Sequence, residues 1–221
     1  MGGITEVARY ARRRLALHGD ESSVSYKKRA ARFDELVRRF PALADMAVLD
    51  VGGEAHFWES ARIRPSHVTT VNLLRDPELG KWHAHSTADA CTFAPRRSYD
   101  LVVSNSLIEH VGGYRYRQQL AEVIRGAAPA YWVQTPNRYF PIEPHYMAPG
   151  FQFVPLAWRA HLIARWPLTW HRDPSVDHAF DEAASTELLG VTELRRLFPD
   201  GDLWREKMAG LTKSLVVVRA V

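Results

Sequence analysis

His145 stands two residues after Glu143 in the run Pro141-Ile142-Glu143-Pro144-His145-Tyr146. A carboxylate that close can orient the imidazole ring, and histidine is the usual base near neutral pH. The chemistry on offer is removal of a proton from a hydroxyl. A histidine that only ties its own loop together is the competing reading. His110, directly after Glu109, is the second candidate base, with packing at a helix start as its alternative. The other eight histidines have no comparable context and read as surface or pocket wall. A second set of residues reads as ligand-binding: Asp50 with Gly52 and Gly53, Asn72 with Leu73, Asp89 with Ala90, and Ser104 with Asn105. Small residues let a backbone approach a ligand closely. A polar Asn72 can bond ribose hydroxyls, and a carboxylate at Asp89 can accept from an adenine amino group.

These residues share one positional property: each follows a short apolar run. Ala47-Val48-Leu49-Asp50-Val51 reads as a buried strand ending in a tight Gly52-Gly53 turn. Residues 68–73, a short segment ending near Ser86, residues 99–104 and residues 130–134 read as further strands. Tyr116 to Arg125 reads as a helix between them. Alternating strands and helices imply βαβ units and a mostly parallel sheet, whose ligands sit beyond the carboxyl ends of the strands. Earlier in the chain, Ala8 to Leu17 and Ala30 to Phe40 show helical spacing, broken by His18-Gly19-Asp20 and ended by Pro41. Pro155 to Ala164 and Thr186 to Phe198 read as later helices. Asp202 to Met208 with Lys213 to Arg219 reads as a closing hairpin. The stretch 135–177 is dense in Pro, His, Trp, Tyr and Phe, and reads as a lid or acceptor pocket.

The chain of 221 residues is 46% hydrophobic and 24% charged, enough for a core without disulfide or metal staples. Its one cysteine, Cys91, forbids an intramolecular disulfide and fits a reducing cytoplasm. No apolar run approaches the ~20 residues that span a bilayer. The net charge of +4 gathers partly in Arg12-Arg13-Arg14 and Lys27-Lys28-Arg29. With no nucleic-acid signature beside them, these read as solvated helix faces. The dinucleotide G-x-G-x-x-G and the Walker A sequence are both absent.

Val48-Leu49-Asp50-Val51-Gly52-Gly53 resembles the first motif of class I S-adenosylmethionine-dependent methyltransferases. Tyr99 to Val111, with Ser104-Asn105-Ser106 and Glu109-His110, resembles their fourth-strand motif, and Asp89-Ala90 falls at the expected interval between them. The resemblance covers roughly residues 46–135 and the C-terminal strand pair. It implies a Rossmann-like α/β fold: a seven-stranded, mostly parallel sheet with a C-terminal antiparallel strand and N-terminal helices. One domain would run from 1 to 221: N-terminal helices to 45, a cofactor half at 46–135, an acceptor or lid region at 136–185, and the last helix and strand pair from 186. The implied cofactor is S-adenosyl-L-methionine. Gly52 and Gly53 would pass under its methionine part, Asn72 would hold the ribose, Asp89 and Ala90 would meet the adenine, and Ser104 would line the sulfonium side. Two departures stand out. A third glycine is replaced by the run Glu54-Ala55-His56, and the usual ribose acid is Asn72, which loses charge-assisted strength.

On the acceptor side, the expectation is an O-methyltransferase for a small hydroxylated molecule, a sugar or mannoside. The Glu143-Pro144-His145 loop and the composition also resemble mycobacterial enzymes that methylate mannosides of methylmannose polysaccharides. Sugar methyltransferases of this type allow Mg²⁺, for which Glu143, His145, Asp173, Asp177 and His178 offer ligands; no compact metal motif is present, and zinc is not expected with one cysteine and no H-x₃-H pair. C- or N-methyl transfer and a non-catalytic binding module remain open. Neither nucleic acid nor membrane is expected as a partner.

Overall fold

Val48, Leu49, Asp50 and Val51 are all buried in the first strand, β1 (Ala47–Val51). A strand covered on both faces has no alternation to show, which is why it appears in the sequence as an unbroken apolar run. The computed structural model describes residues 24–163 and 176–221. The segments Ala8–Leu17 and His18-Gly19-Asp20 lie outside them.

Two compact units divide the chain: Arg39–Phe140 with Thr186–Val221, and Pro141–Ser185 with the segment up to Arg38. In the first unit, β1 is followed by α2 (Ala55–Glu59), β2 (His67–Asn72), β3 (His83–Thr87) and β4 (Leu101–Asn105). Then come α3 (Tyr114–Ala127), β5 (Ala130–Pro136), α6 (Val191–Leu197), β8 (Asp202–Met208) and β9 (Leu211–Arg219). The seven-stranded sheet has the order β3-β2-β1-β4-β5-β9-β8. β1 to β5 pair in parallel, and β9 runs antiparallel to both neighbours. The expected mostly parallel sheet with a C-terminal antiparallel strand is therefore present. Chain order reverses direction between β1 and β4, the place where such sheets bind ligands. Tyr131, Val133, Phe198, Leu215 and Val217 belong to its core.

α3 is fixed to the C-terminal segment by one buried cation. Arg117 is 2% exposed. Its Nη1 donates to Glu193 Oε1 at 2.6 Å, and its Nη2 donates to Glu187 Oε2 at 2.6 Å and to the Glu187 carbonyl at 3.1 Å. Arg117→Met keeps the stem's packing but strips both carboxylates of their partner. Because both glutamates retain some solvent, we expect a loss of about 2 kcal/mol in urea unfolding, below the cost of breaking a fully buried pair.

The sequence starts the last helix at Thr186, whereas it begins at Val191. Residues 186–189 are extended instead: Glu187 N–H donates to the Glu109 carbonyl, and Leu189 bridges to Asn137. Gly190 then precedes the first helical turn.

The second unit holds most of α1 (Val24–Arg39), the short hairpin β6 (Ile142–Glu143) and β7 (Ala148–Pro149), α4 (Leu156–Ile163) and α5 (Val176–Ala184). α1 begins earlier than its apolar spacing indicates and stops just before Pro41. α4 and α5 pack together around Ala160, Ile163, Ala179 and Ala183, with Tyr146 and Phe151 in the same cluster. Three alanines at this contact let the helices approach closely.

Candidate functional site

β1 delivers Asp50 to the turn that follows it. The carboxylate is buried, and its Oδ2 accepts a 2.7 Å bond from the Trp58 indole N–H of α2. Among the described residues its Oδ1 has no hydrogen-bond partner. Gly52 has φ +80°, and its N–H donates to the Val71 carbonyl at 2.7 Å. A Cβ at Gly52 would lie 2.9 Å from the methyls of Leu107. At Gly53 a Cβ would fall 1.9 Å from Asp50 Oδ2, so this glycine is required by the carboxylate folded against it.

Burial pushes the Asp50 carboxyl up to about 7, against the Trp58 bond and with a smaller push from Glu54. The native state thus holds a proton that the unfolded chain has released. The stability this contributes is complete below the ordinary 3.8 and is lost as pH rises through about 7. Asp50→Asn cannot ionise and should remove that slope. The stability difference between variant and wild type should change by about 4 kcal/mol between acid and mildly alkaline pH in denaturant titrations. A constant difference across that range would contradict it.

Asn72 closes β2. Its side-chain amide reaches the Gly53 carbonyl at 3.5 Å, and its Oδ1 faces the Leu74 N–H at 3.4 Å. Asn72 thus ties the two loops together. Leu73 and Leu74 are strongly exposed. Four residues beyond Asn72, Asp76 Oδ2 accepts the Ala55 N–H at 2.6 Å, capping α2 from another loop. The sequence reading passed over Asp76. No local pattern in the sequence marks it, and Glu54, the residue before α2, makes no side-chain cap of its own.

Asp89 is exposed, and its Oδ1 accepts the Cys91 N–H at 2.9 Å, shaping a turn that buries Ala90. Burial, with Asp89 beside it, pushes the Cys91 thiol up to about 11, so this cysteine is no nucleophile at neutral pH. Ser104, at the end of β4, is fully buried, and its Oγ has no hydrogen-bond partner among the described residues. Asn105 Oδ1 accepts the Trp132 indole N–H at 3.3 Å. Ser106 then takes φ +52°, its N–H bonded to the Gln134 carbonyl and its hydroxyl to Gln134 Oε1. Side chains in that conformation are strained and cluster at functional sites. Glu109 is fully buried and accepts the Thr135 hydroxyl at 3.0 Å, while His110 is exposed with Nδ1 3.3 Å from Thr186 Oγ1. Nothing in the sequence marks Glu109 as buried, since burial of an acid leaves no local pattern.

In the second unit, Glu143 is buried and divides its oxygens between two donors. Oε1 lies 2.6 Å from His145 Nδ1, and Oε2 accepts the Tyr146 N–H at 2.8 Å. The carboxylate therefore fixes the Nδ1–H tautomer and leaves the basic lone pair on Nε2. The Tyr146 hydroxyl, pushed well above its ordinary value by burial, donates to the Glu182 carbonyl at 3.1 Å. With both oxygens engaged by protein donors, Glu143 gives Mg²⁺ no support. Asp173 and the side chain of Asp177 lie outside the described residues.

No helix among the described residues is long and apolar enough to cross a membrane. No family model matches the sequence, and no curated protein matches it. Solved structures do match the fold. A 1,6-didemethyltoxoflavin-N1-methyltransferase from Burkholderia thailandensis, with its substrate and S-adenosylhomocysteine bound, aligns at TM-score 0.55 and 13% identity, covering 97% of this chain and 84% of the other. Magnesium protoporphyrin IX methyltransferase from Synechocystis PCC 6803, with S-adenosylmethionine bound, aligns at 0.54 and 12%, covering 96% and 91%. The N-methyltransferase NodS from Bradyrhizobium japonicum WM9, with S-adenosylhomocysteine, aligns at 0.52 and 10%, covering 96% of each. The mycobacterial mannoside enzymes find no support in these matches. At such identities the likeness concerns architecture, and the chain has the Rossmann-like fold of class I S-adenosylmethionine-dependent methyltransferases.

Proposed function

We propose that this protein is an S-adenosylmethionine-dependent O-methyltransferase acting on a hydroxyl of a small molecule, a sugar in particular. The observation that carries the cofactor reading is the pair of strand ends at the switch point. There the Gly52-Gly53 turn leaves β1 and Ser104 closes the adjacent β4. Asp50 Oδ1 and Ser104 Oγ, buried and without hydrogen-bond partners among the described residues, are polar atoms that a ligand can satisfy. The glycine turn offers backbone without a side chain in the way. These residues fit the cofactor, with Asn72 toward its ribose and Asp89 and Ala90 toward its adenine.

S-adenosylmethionine, when bound, supplies a methyl group already activated on a sulfonium. The protein's task is then to position the acceptor and to take its proton. His145 suits that task, because Glu143 holds Nδ1–H and directs basicity to Nε2. A hydroxyl acceptor needs such a base, whereas a neutral amine attacks without one; the dyad therefore favours oxygen over nitrogen. The sugar class rests on the exposed aromatic side chains of Phe153 and Trp158 in the unit that holds His145, since aromatic rings stack on sugar rings.

Calorimetric titration of the full chain with S-adenosylhomocysteine tests the cofactor half, with micromolar binding expected. Incubation with S-adenosylmethionine and panels of mannosides, other alcohols and amines, read by product mass, tests the acceptor half. Absence of binding by folded protein would leave a non-catalytic module. Turnover confined to amines would remove the oxygen acceptor.

A further inference from the structure

We propose that His83, held neutral, is a positioning residue that latches the 73–82 loop, making that loop and the cofactor affinity it supports dependent on proton concentration. The second part rests on the cofactor reading above; the latch itself does not.

The latch follows from one backbone donor. The Leu79 N–H can only donate, and it points to His83 Nδ1 at 3.2 Å. Nδ1 must therefore be unprotonated, which puts the ring proton on Nε2. That proton goes to Thr70 Oγ1 at 3.1 Å. The Thr70 hydroxyl proton then goes to His85 Nδ1 at 2.9 Å, and His85 Nε2–H to Thr87 Oγ1 at 3.2 Å. Thr70 stands opposite His85 in the β2–β3 register, so the chain of bonds crosses the sheet edge. A second proton on His83 would set Nδ1–H against the Leu79 N–H, two donors with no acceptor between them. His83 is 3% exposed, so water cannot easily take over.

The charges around it are mixed. Asp76 and Glu78 on the loop favour the protonated ring, while His85 on β3 opposes it, and His67 on β2 shares the same neighbourhood. The Trp82 ring packs against His83, and the Arg64 guanidinium lies over the Trp82 ring at 4.7 Å from its centroid. Burial outweighs the two acids and holds the imidazole below its ordinary 6.5. A base so shifted contributes stability that is complete above 6.5 and is lost as pH falls below it. The same loop begins beside Asn72 and carries Asp76, which caps α2 at Ala55. Releasing Leu79 therefore loosens the segment that joins the two proposed cofactor loops.

The test uses the full-length protein. Amide hydrogen exchange at Leu79, corrected for intrinsic rates, should lose about tenfold protection per pH unit once His83 begins to protonate. Ring-nitrogen NMR should find the Nε2–H tautomer, titrating together with that loss. In His83→Gln, whose side-chain oxygen can still accept but cannot titrate, Leu79 protection should be flat with pH. Titration with S-adenosylhomocysteine should weaken more on acidification in wild type than in the variant, where Asp50 still titrates but the latch does not. An Nδ1–H tautomer, or Leu79 protection that does not change with pH, overturns the latch. Should His83→Gln fail to fold, the wild-type tautomer and exchange profile decide alone. Absence of ligand binding at every pH, with the exchange profile as expected, would instead count against the cofactor reading and the affinity it carries.

Discussion

Gly53→Ala should abolish S-adenosylhomocysteine binding in calorimetry while leaving a folded protein some 2–4 kcal/mol less stable in denaturant titration. A methyl group there would lie 1.9 Å from Asp50 Oδ2 and 2.1 Å from Cγ, distances no atoms sustain. The Asp50 side chain is short, buried and tied to the Trp58 indole, so moving it breaks a 2.7 Å bond inside the core. Asp50 stands near the end of β1, so a displaced carboxyl disturbs the strand end proposed to receive the cofactor. The mechanism makes a further demand. Removing the obstructing group in Asp50→Ala/Gly53→Ala should recover part of the stability lost in Gly53→Ala, so the two substitutions should be non-additive by more than about 0.5 kcal/mol. Strict additivity would mean that the glycine is required for some other reason. Normal ligand binding by Gly53→Ala would detach this turn from the cofactor altogether.

That glycine shows how far the sequence could be read. It marks a place where a side chain is not tolerated, and the obvious inference is close approach of a ligand. The neighbour that excludes a side chain is instead Asp50, three residues back, a contact that depends on how the turn folds over. Strands whose residues are buried on both faces announced themselves as short apolar runs, and Ala47–Val51 falls where it was expected. The β8–β9 hairpin was legible too, although its second strand, expected from Lys213, begins at Leu211 and leaves only Ala209-Gly210, both with positive φ, between the strands. The start of α6 was not. Residues from Thr186 continue the apolar spacing, but Glu187 and Leu189 are claimed by backbone partners at Glu109 and Asn137. Asp76 was missed for the same kind of reason: its partner amide lies 21 residues earlier, and no local pattern encodes it. The strand ends that carry the proposed site residues were thus readable, and the loop-to-loop contacts around them were not.

The Glu143–His145 pair allows a sharper test than deletion of the base alone. His145→Ala should lower methyl transfer by about 10²- to 10⁴-fold, the usual worth of a positioned base, with S-adenosylhomocysteine affinity unchanged. Glu143→Gln is the more informative change. The carboxylate accepts from two donors at once, His145 Nδ1 at 2.6 Å and the Tyr146 N–H at 2.8 Å. An amide has only one oxygen, so one of those donors must face an NH₂ group. If the oxygen stays with Tyr146, His145 is driven to the other tautomer, its Nδ1 accepting and its Nε2 carrying the proton. Turnover should then fall nearly as far as in His145→Ala, although the histidine is still present. If the oxygen turns to His145, the tautomer survives but the hairpin between Ile142 and Pro149 loses its inner bond, and the loss should appear mainly in stability. Ring-nitrogen NMR of Glu143→Gln separates these cases by reporting which nitrogen holds the proton. A wrong tautomer with unimpaired turnover would remove His145 as the base. A retained tautomer with lost turnover and intact folding would show that the negative charge of Glu143, rather than the orientation it imposes, is what the reaction uses.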